Sequence, residues 1–257
     1  MIYSQENIIE INKIHYGDCL VLMKEIPDKS VDCIICDLPY GTTACKWDVV
    51  IPFKPLWKEY DRVIKDNGNI ILFSSGLFTI SLIQSNIKNY RYKLIWSKNV
   101  PTGMSSAKYR PMKYYEEICV FGNAKSVYNP IMKKRVGDGK DYYRYAHYCG
   151  ESNHIQMNKK KRLYDPNLVQ PSDVLEFDVV PNRKNKLHPT QKPVELIQWL
   201  IRSYSNEGDL ILDNCIGSGT TAVAAIKERR HFIGMELNKE YYDIACKRVN
   251  NELSNLT

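Results

Sequence analysis

The chain has 257 residues, 44% of them hydrophobic, and its 36 Lys and Arg against 29 Asp and Glu give a formal charge of +7. A chain of this size buries roughly 70–75% of its extended surface, enough for one large domain or one domain with a smaller insert. Its 18 Tyr, 6 Phe and 4 Trp and the lack of long biased runs exclude disorder, collagen and low complexity, and no apolar stretch approaches a membrane span.

The N-terminal sequence, Met1 to Glu6, shows no basic-then-apolar signal segment. Residues 8–16 form a short apolar strand running into Gly17-Asp18, and 19–26 a helix stopped by Pro27-Asp28. Residues 31–36 are a nearly continuous apolar strand of the kind covered on both faces of a parallel sheet. It ends at Asp37-Leu38-Pro39-Tyr40-Gly41, where Pro and Gly forbid ladder continuation. A helix over 53–65, a strand over 70–73, a helix over 77–88 and strands over 92–96 and 118–121 complete this half.

From 122 to 187 the periodicity weakens, with turns at Gly137-Asp138-Gly139, a run containing Tyr142, Tyr143, Tyr145, His147 and Tyr148, and the cluster Lys159-Lys160-Lys161-Arg162. This reads as an inserted subdomain or a set of long loops. The stretch holds thirteen Lys and Arg against seven Asp and Glu, whereas the rest of the chain holds 23 against 22. Nearly all the basic excess therefore sits in one central quarter, which favours a polyanion docking there. The α/β order then returns: helix 193–203, strand 209–213, helix 220–227, strand 231–236 and helix 239–250.

Cys33 and Cys36 are spaced Cys-x-x-Cys but lie inside an apolar strand with no second pair nearby, so they read as reduced thiols of a cytosolic protein. His147, His154 and Cys149 lack a full ligand set, and no metal is expected.

Strand 209–213 runs into Asn214-Cys215-Ile216-Gly217-Ser218-Gly219-Thr220-Thr221, a glycine turn opening a helix. Glycines let the backbone approach a ligand, and a helix N-terminus presents free N–H groups. Glu236 ends the next strand, nineteen residues past Gly217, where a carboxylate can accept both hydroxyls of a ribose. Ala222 is tolerated by a dinucleotide pattern, but Asp213 is awkward beside a pyrophosphate and welcome beside an ammonium, which makes S-adenosylmethionine the better fit. The same residues would also serve as a tight strand end with a solvated acid.

Asp37-Leu38-Pro39-Tyr40 likewise follows a buried strand. A planar exocyclic amine is a poor nucleophile because its lone pair is delocalised into the ring. Asp37 and the carbonyl of Leu38 can accept its two N–H groups and stabilise positive charge as it attacks a methyl sulfonium, while Pro39 stiffens the turn and Tyr40 offers a stacking face. A capped turn with a packed Tyr would look the same.

With these residues the chain resembles the amino-methyltransferases of DNA, which methylate adenine N6 or cytosine N4. Asp37 to Tyr40 resembles their Asp/Ser-Pro-Pro-Tyr motif, residues 213–221 their cofactor motif and Glu236 their ribose-binding acid. Lys186-Leu187-His188-Pro189-Thr190-Gln191-Lys192-Pro193 resembles the segment before the first cofactor-side helix, and Trp96-Ser97-Lys98-Asn99 and Glu117 to Gly122 match the family spacing. The motif order resembles the β-class permutation. It implies an α/β, permuted Rossmann-like methyltransferase fold with an about seven-stranded, mostly parallel sheet and helices on both faces. The catalytic half would span 1–121, a target-recognition insert 122–187 and the cofactor half 188–257. Strand 8–16 would then lie beside the strand ending at Glu236, bringing Asp18 to the cofactor adenine.

The resemblance assigns catalysis to Asp37, Leu38, Pro39 and Tyr40. On the cofactor it places Asp18, Asp37, His188, Thr190 and Lys192, then Asp213, Cys215, Gly217, Ser218, Gly219, Thr220 and Thr221, and finally Glu236 and Leu237. Leu38 stands where Pro is common, and Cys215 where a Phe would pack on the cofactor, so that wall is reshaped. Duplex DNA is the implied substrate, with the target base flipped out. Lys133, Lys134, Arg135, Arg144, Lys159, Lys160, Lys161 and Arg162 are candidate phosphate contacts, with Lys46 and Trp47 on a mobile lid, 41–48, beside Tyr40. The implied reaction is site-specific, adenine-specific DNA methylation. The alternatives are cytosine N4 methylation and a catalytically inert DNA-binding relative. A homodimer, a cognate restriction endonuclease and a cytoplasmic location in a bacterial or phage-encoded system, with no membrane partner, complete the expectation.

Overall fold

The computed structural model describes residues 9–42, 48–135, 167–181 and 191–254. The described elements are β1 (Lys13–Tyr16), α1 (Cys19–Leu22), β2 (Val31–Cys36), α2 (Phe53–Val63), β3 (Ile64–Ser74), α3 (Leu77–Ser85), β4 (Tyr90–Thr102) and β5 (Lys113–Phe121). They continue with β6 (Lys133–Lys134), β7 (Leu168–Val169), β8 (Val174–Glu176), α4 (Val194–Tyr204), β9 (Leu210–Asp213), α5 (Thr220–Lys227), β10 (His231–Glu236) and α6 (Lys239–Ser254). The eight-stranded sheet runs β1-β10-β9-β2-β3-β5-β4-β8, and β5 alone lies antiparallel to its neighbours.

Burial explains the centre of this sheet. In β2 every residue but Asp32 is buried, as expected for a strand covered on both faces. Asp32 accepts from the Lys65 ammonium at 2.7 Å and from the Leu210 N–H at 2.9 Å, which joins β2 to β9. On α2, Leu56, Trp57, Tyr60 and Val63 recur at helical spacing and are buried. Tyr60 donates its hydroxyl to Asn214 at 2.5 Å and so joins α2 to the turn after β9.

β1 pairs in parallel with β10, Tyr16 opposite Glu236, as the permuted motif order requires. The first strand is shorter than residues 8–16, and the first helix stops at Leu22 and tightens into a 3-10 turn over Met23–Glu25. The eighth strand, β8, lies within the stretch read as insert. Three residues are too few to show a period, and β8 is held by its parallel pairing with Ile95–Ser97 on β4.

The chain divides into two compact units, Met1–Asn129 with Asp173–Thr257, and Pro130–Ser172. The smaller unit is narrower than 122–187: Asn129 donates its N–H to the Ser203 carbonyl and β8 extends the large sheet, so both flanks run with the larger unit. Within the smaller unit β6 and β7 form an antiparallel ribbon, where Arg135 donates its N–H to the Asn167 carbonyl at 2.6 Å.

Gly219, at φ +83°, opens α5, and a Cβ there would lie 3.2 Å from Cα of Ala245 on α6. Gly208 has nearly the same φ, +81°, but open space around it. Gly208→Ala is therefore expected to cost about 1 kcal/mol of backbone strain, and Gly219→Ala about 2–3 kcal/mol because packing is added to strain. Urea unfolding of the two variants checks the difference.

Candidate active site

β2 neighbours β9 on one side and β3 on the other, so the chain order reverses around it. The crevice outside the carboxyl ends at such a switch point is where α/β sheets bind ligands. A cavity of about 1000 Å³ opens there. It is at the upper end for single-ligand sites, with room for two small molecules side by side.

One wall comes from the turn after β2. Asp37, Leu38, Pro39 and Tyr40 all line the cavity. The Tyr40 hydroxyl donates to Asp37 Oδ1 at 2.7 Å, and its ring lies 4.9 Å from that of Phe78. Asp37 Oδ2 accepts from the Lys192 ammonium at 2.6 Å. Burial raises the Asp37 carboxyl, Lys192 pulls it down and Glu116 adds to the rise. Beyond Tyr40 the chain is tied back by Asp48, whose carboxylate accepts the N–H groups of Gly41 and Thr42 at 2.8 and 2.9 Å.

The opposite wall carries the predicted cofactor residues. Glu236 Oε2 accepts the Gly217 N–H at 2.9 Å and Oε1 accepts the Asn238 N–H at 2.7 Å, so one carboxylate joins the turns after β9 and β10. Gly217 sits at φ +54°. This left-handed conformation suits glycine and turns its N–H towards the acid. Gly17 donates to the Glu236 carbonyl, and Asp18 caps α1 by accepting the Leu20 N–H at 2.7 Å. Asp213 is buried, accepting the Thr221 hydroxyl at 2.6 Å and the Cys215 N–H at 3.1 Å. Burial pushes its carboxyl up to about 7 against those two bonds.

Asp18, Lys192, Asp213, Cys215, Gly217, Ser218, Thr220, Thr221, Glu236 and Leu237 all line the same cavity as Asp37. Gly219 is not on that wall; its close approach to Ala245 gives it a packing role instead. Lys133 and Lys134 are exposed on β6 and Arg135 is half-buried in the smaller unit. Lys46, Trp47, Arg144, Lys159, Lys160, Lys161, Arg162, His188 and Thr190 lie outside the described residues.

Sequence reasoning missed three contributors, Glu116, Phe73 and Arg248. Glu116 lies on β5 opposite Trp96, and its Oε1 accepts from the Lys98 ammonium at 3.0 Å. Phe73 presents its ring 5.0 Å from the Lys192 ammonium. Arg248 on α6 donates to the Thr220 hydroxyl at 3.0 Å and steadies the glycine turn. Among the described residues no helix is long and apolar enough to cross a membrane, and no group of three His, Cys, Asp or Glu side chains is placed to hold a metal ion.

Residues 31–247 match the N6/N4 family of DNA methylases. The type II methyltransferase M1.MboII of Moraxella bovis is 32% identical over 257 residues, covering 93% of this chain and 96% of the relative. The DNA adenine methyltransferase YhdJ of Escherichia coli (strain K12) is 30% identical, covering 93% and 83%. The crystal structure of an M1.HpyAVI–SAM complex matches with a TM-score of 0.62 at 25% identity, over 93% of this chain and 98% of that one. The cytosine-N4-specific PvuII DNA methyltransferase reaches 0.65 at 14% identity over 98% and 94%, a likeness of fold alone. The motifs on the two cavity walls and the match over most of its length identify this chain as a member of the N6/N4 DNA methylase family, a DNA methyltransferase.

Proposed function

We propose that the protein transfers the methyl group of S-adenosylmethionine to N6 of adenine at a specific site in duplex DNA, with the base flipped into the cavity. The observation that carries this reading is a single cavity lined on one side by Asp37 and Tyr40 and on the other by Asp213, Glu236 and the Gly217 turn. The acids suit the cofactor's ammonium and ribose diol. Among the described lining residues Lys98 and Lys192 are the two cations, and both are already paired with carboxylates, which leaves a pyrophosphate without a counter-ion. The cofactor supplies an electrophilic methyl sulfonium.

The chain's own residues do the rest. Glu236 accepts the ribose hydroxyls and Asp213 faces the ammonium. Asp37 Oδ1, which the Tyr40 hydroxyl now occupies, and the Leu38 carbonyl accept the two N–H groups of the target amine. Positive charge grows on the amine as it bonds to the methyl carbon and the carbon–sulfur bond breaks, and it is discharged when the amine gives up one N–H proton to water. Acceptors fixed there therefore favour the transition state over the ground state. The Tyr40 ring stacks on the flipped base. Asp at position 37, and the 30% identity to a relative named as a DNA adenine methyltransferase, support adenine over cytosine.

Exposed Lys133 and Lys134 are assigned to DNA phosphates. The hairpin after β4 adds Lys108, Arg110 and Tyr109, the last 89% exposed, with no acid between Ser97 and Tyr115. The type II relatives support a place beside a cognate restriction endonuclease.

Because the buried Asp213 carboxyl titrates at about 7, an ammonium beside it favours its ionised form. Cofactor binding is therefore expected to release a proton near neutrality and to weaken by up to about tenfold per pH unit below about 7. Calorimetry in buffers of different ionisation enthalpy measures this, and a flat affinity between about pH 6 and 8 contradicts the assignment. Single-molecule sequencing of DNA from cells expressing the protein tests the function itself: N6-methyladenine in one short context is expected, and unmodified DNA contradicts it.

A further inference from the structure

Asp37 belongs to a buried row of four alternating charges. The Lys192 ammonium donates to Asp37 Oδ2 at 2.6 Å and lies 3.2 Å from Glu116 Oε2. Glu116 Oε1 accepts from the Lys98 ammonium at 3.0 Å. Lys192 and Lys98 are only 8% and 5% exposed. The four groups come from the turn after β2, the residue before α4's cap, β5 and β4, so the row exists only in the folded chain. The register of the antiparallel ladder builds half of it: Trp96 pairs with Glu116, and Lys98, two residues on, shares that face.

Such a row is a poor device for stability. Desolvating four ions offsets most of their attraction, and apolar side chains of similar volume often serve as well or better. The row has a chemical consequence instead. The Lys192 ammonium is shared by two carboxylates and covered by the Phe73 ring at 5.0 Å.

We propose that Lys192 is a positioning residue for methyl transfer: anchored by Glu116 and Lys98, it holds Asp37 ionised and oriented to accept the target amine. This rests on the methyltransferase reading of the same site. Among the described residues the groups facing Asp37 are Cys36 and Tyr40 from its own segment, Glu116 from β5, Asp213 from the end of β9, and Lys192. Burial and Glu116 oppose ionisation, and among the described residues Lys192 is the cation that favours it. Burial also opposes ionisation of Glu116, but Lys192 and Lys98 hold its carboxyl down at about 2, so the anchor stays charged throughout the working range.

The sign of the effect follows. Without the ammonium the Asp37 carboxylate loses its counter-ion, its pKa rises, and the acid limb of activity moves to higher pH. Without the Glu116 charge an opposing anion is removed, so the limb does not move up.

The test compares the wild type with Lys192→Met, Lys192→Arg and Glu116→Gln. The rate of methyl transfer to duplex DNA is followed between about pH 6 and 9 at saturating substrates, and S-adenosylmethionine affinity is measured separately by calorimetry. Lys192→Met is expected to shift the acid limb up by about one unit or more, with the loss of rate greatest at the acid end and partly recovered at high pH. Its cofactor affinity is expected to stay near that of the wild type. Lys192→Arg restores most of the profile, and Glu116→Gln, a near-isosteric change that keeps the fold if Lys192→Met does not, lowers the rate with no upward shift. A Lys192→Met profile superimposable on an active wild type overturns this proposal alone. So does an unshifted limb accompanied by a large loss of cofactor affinity, which makes Lys192 a cofactor contact. A wild type that transfers nothing to DNA at any pH overturns the methyltransferase reading and this proposal with it.

Discussion

Asp37→Asn is expected to lower the rate of methyl transfer by about a thousandfold or more while the protein stays folded and still binds S-adenosylmethionine. The substitution keeps the shape of the side chain and removes what the reaction uses. Oδ2 is committed to Lys192, so Oδ1 is the oxygen left for the amine once the Tyr40 hydroxyl gives way. An amide there offers either a neutral oxygen or a donor that faces the amine's own N–H groups. It also leaves Lys192 with Glu116 as its only carboxylate partner among the described residues. A preorganised acceptor aimed at developing charge is worth about 10²–10³ in rate where the acceptor is neutral, and a full charge in a buried pocket is worth more. Single-turnover transfer of a labelled methyl group to duplex DNA measures the loss. A variant within about tenfold of the wild type would remove Asp37 from the chemistry.

Glu236→Ala is expected to weaken S-adenosylmethionine binding by about a hundredfold, with little change in rate once the cofactor is saturating. Two losses combine. The carboxylate that would accept the ribose hydroxyls disappears, and charge-assisted hydrogen bonds are worth roughly 1.5–3 kcal/mol each. The Gly217 and Asn238 N–H groups lose their shared acceptor, so both turns that shape the cofactor wall loosen. Glu236→Gln keeps an oxygen but not the charge and is expected to lie between, at about tenfold. The ribose is remote from the transferred methyl group, so the effect falls on affinity rather than on the chemical step. Equilibrium binding together with saturated rates separates the two. A normal affinity in Glu236→Ala would contradict the placement of the ribose.

The halves of the site differ in how far sequence alone reveals them. Asp37 directly follows an apolar strand, with Pro39 and Gly41 just beyond it, and Glu236 ends one, which marks two carboxyl-edge turns before any contact is known. The pairing of β1 with β10 follows from motif order, because a permuted sheet must close its cut somewhere. Glu116 and Lys98 carry no such mark. On alternating strands they look like solvated faces, and only the long-range register that sets Trp96 opposite Glu116 turns them inward. Lys192 was legible as a site residue, but which group its ammonium meets depends on the approach of β5, which no local pattern records. Nothing local in the sequence shows that the Asp48 carboxylate closes on the Gly41 and Thr42 N–H groups. Gly219 reads as a ligand glycine, but it does not line the cavity, and a Cβ there would come within 3.2 Å of Ala245 on α6, which ties it to helix packing. β8 is three residues long, below the length at which a period can be read.

The central claim is that the amine held by Asp37 belongs to adenine in duplex DNA and receives its methyl group from S-adenosylmethionine. Nucleoside analysis of unmodified duplex DNA incubated with the purified protein and methyl-labelled cofactor, with Asp37→Asn run in parallel, tests it most directly. The expected result is label in N6-methyladenine with the wild type and none with the variant. Label in N4-methylcytosine, or no label with the wild type, would contradict it.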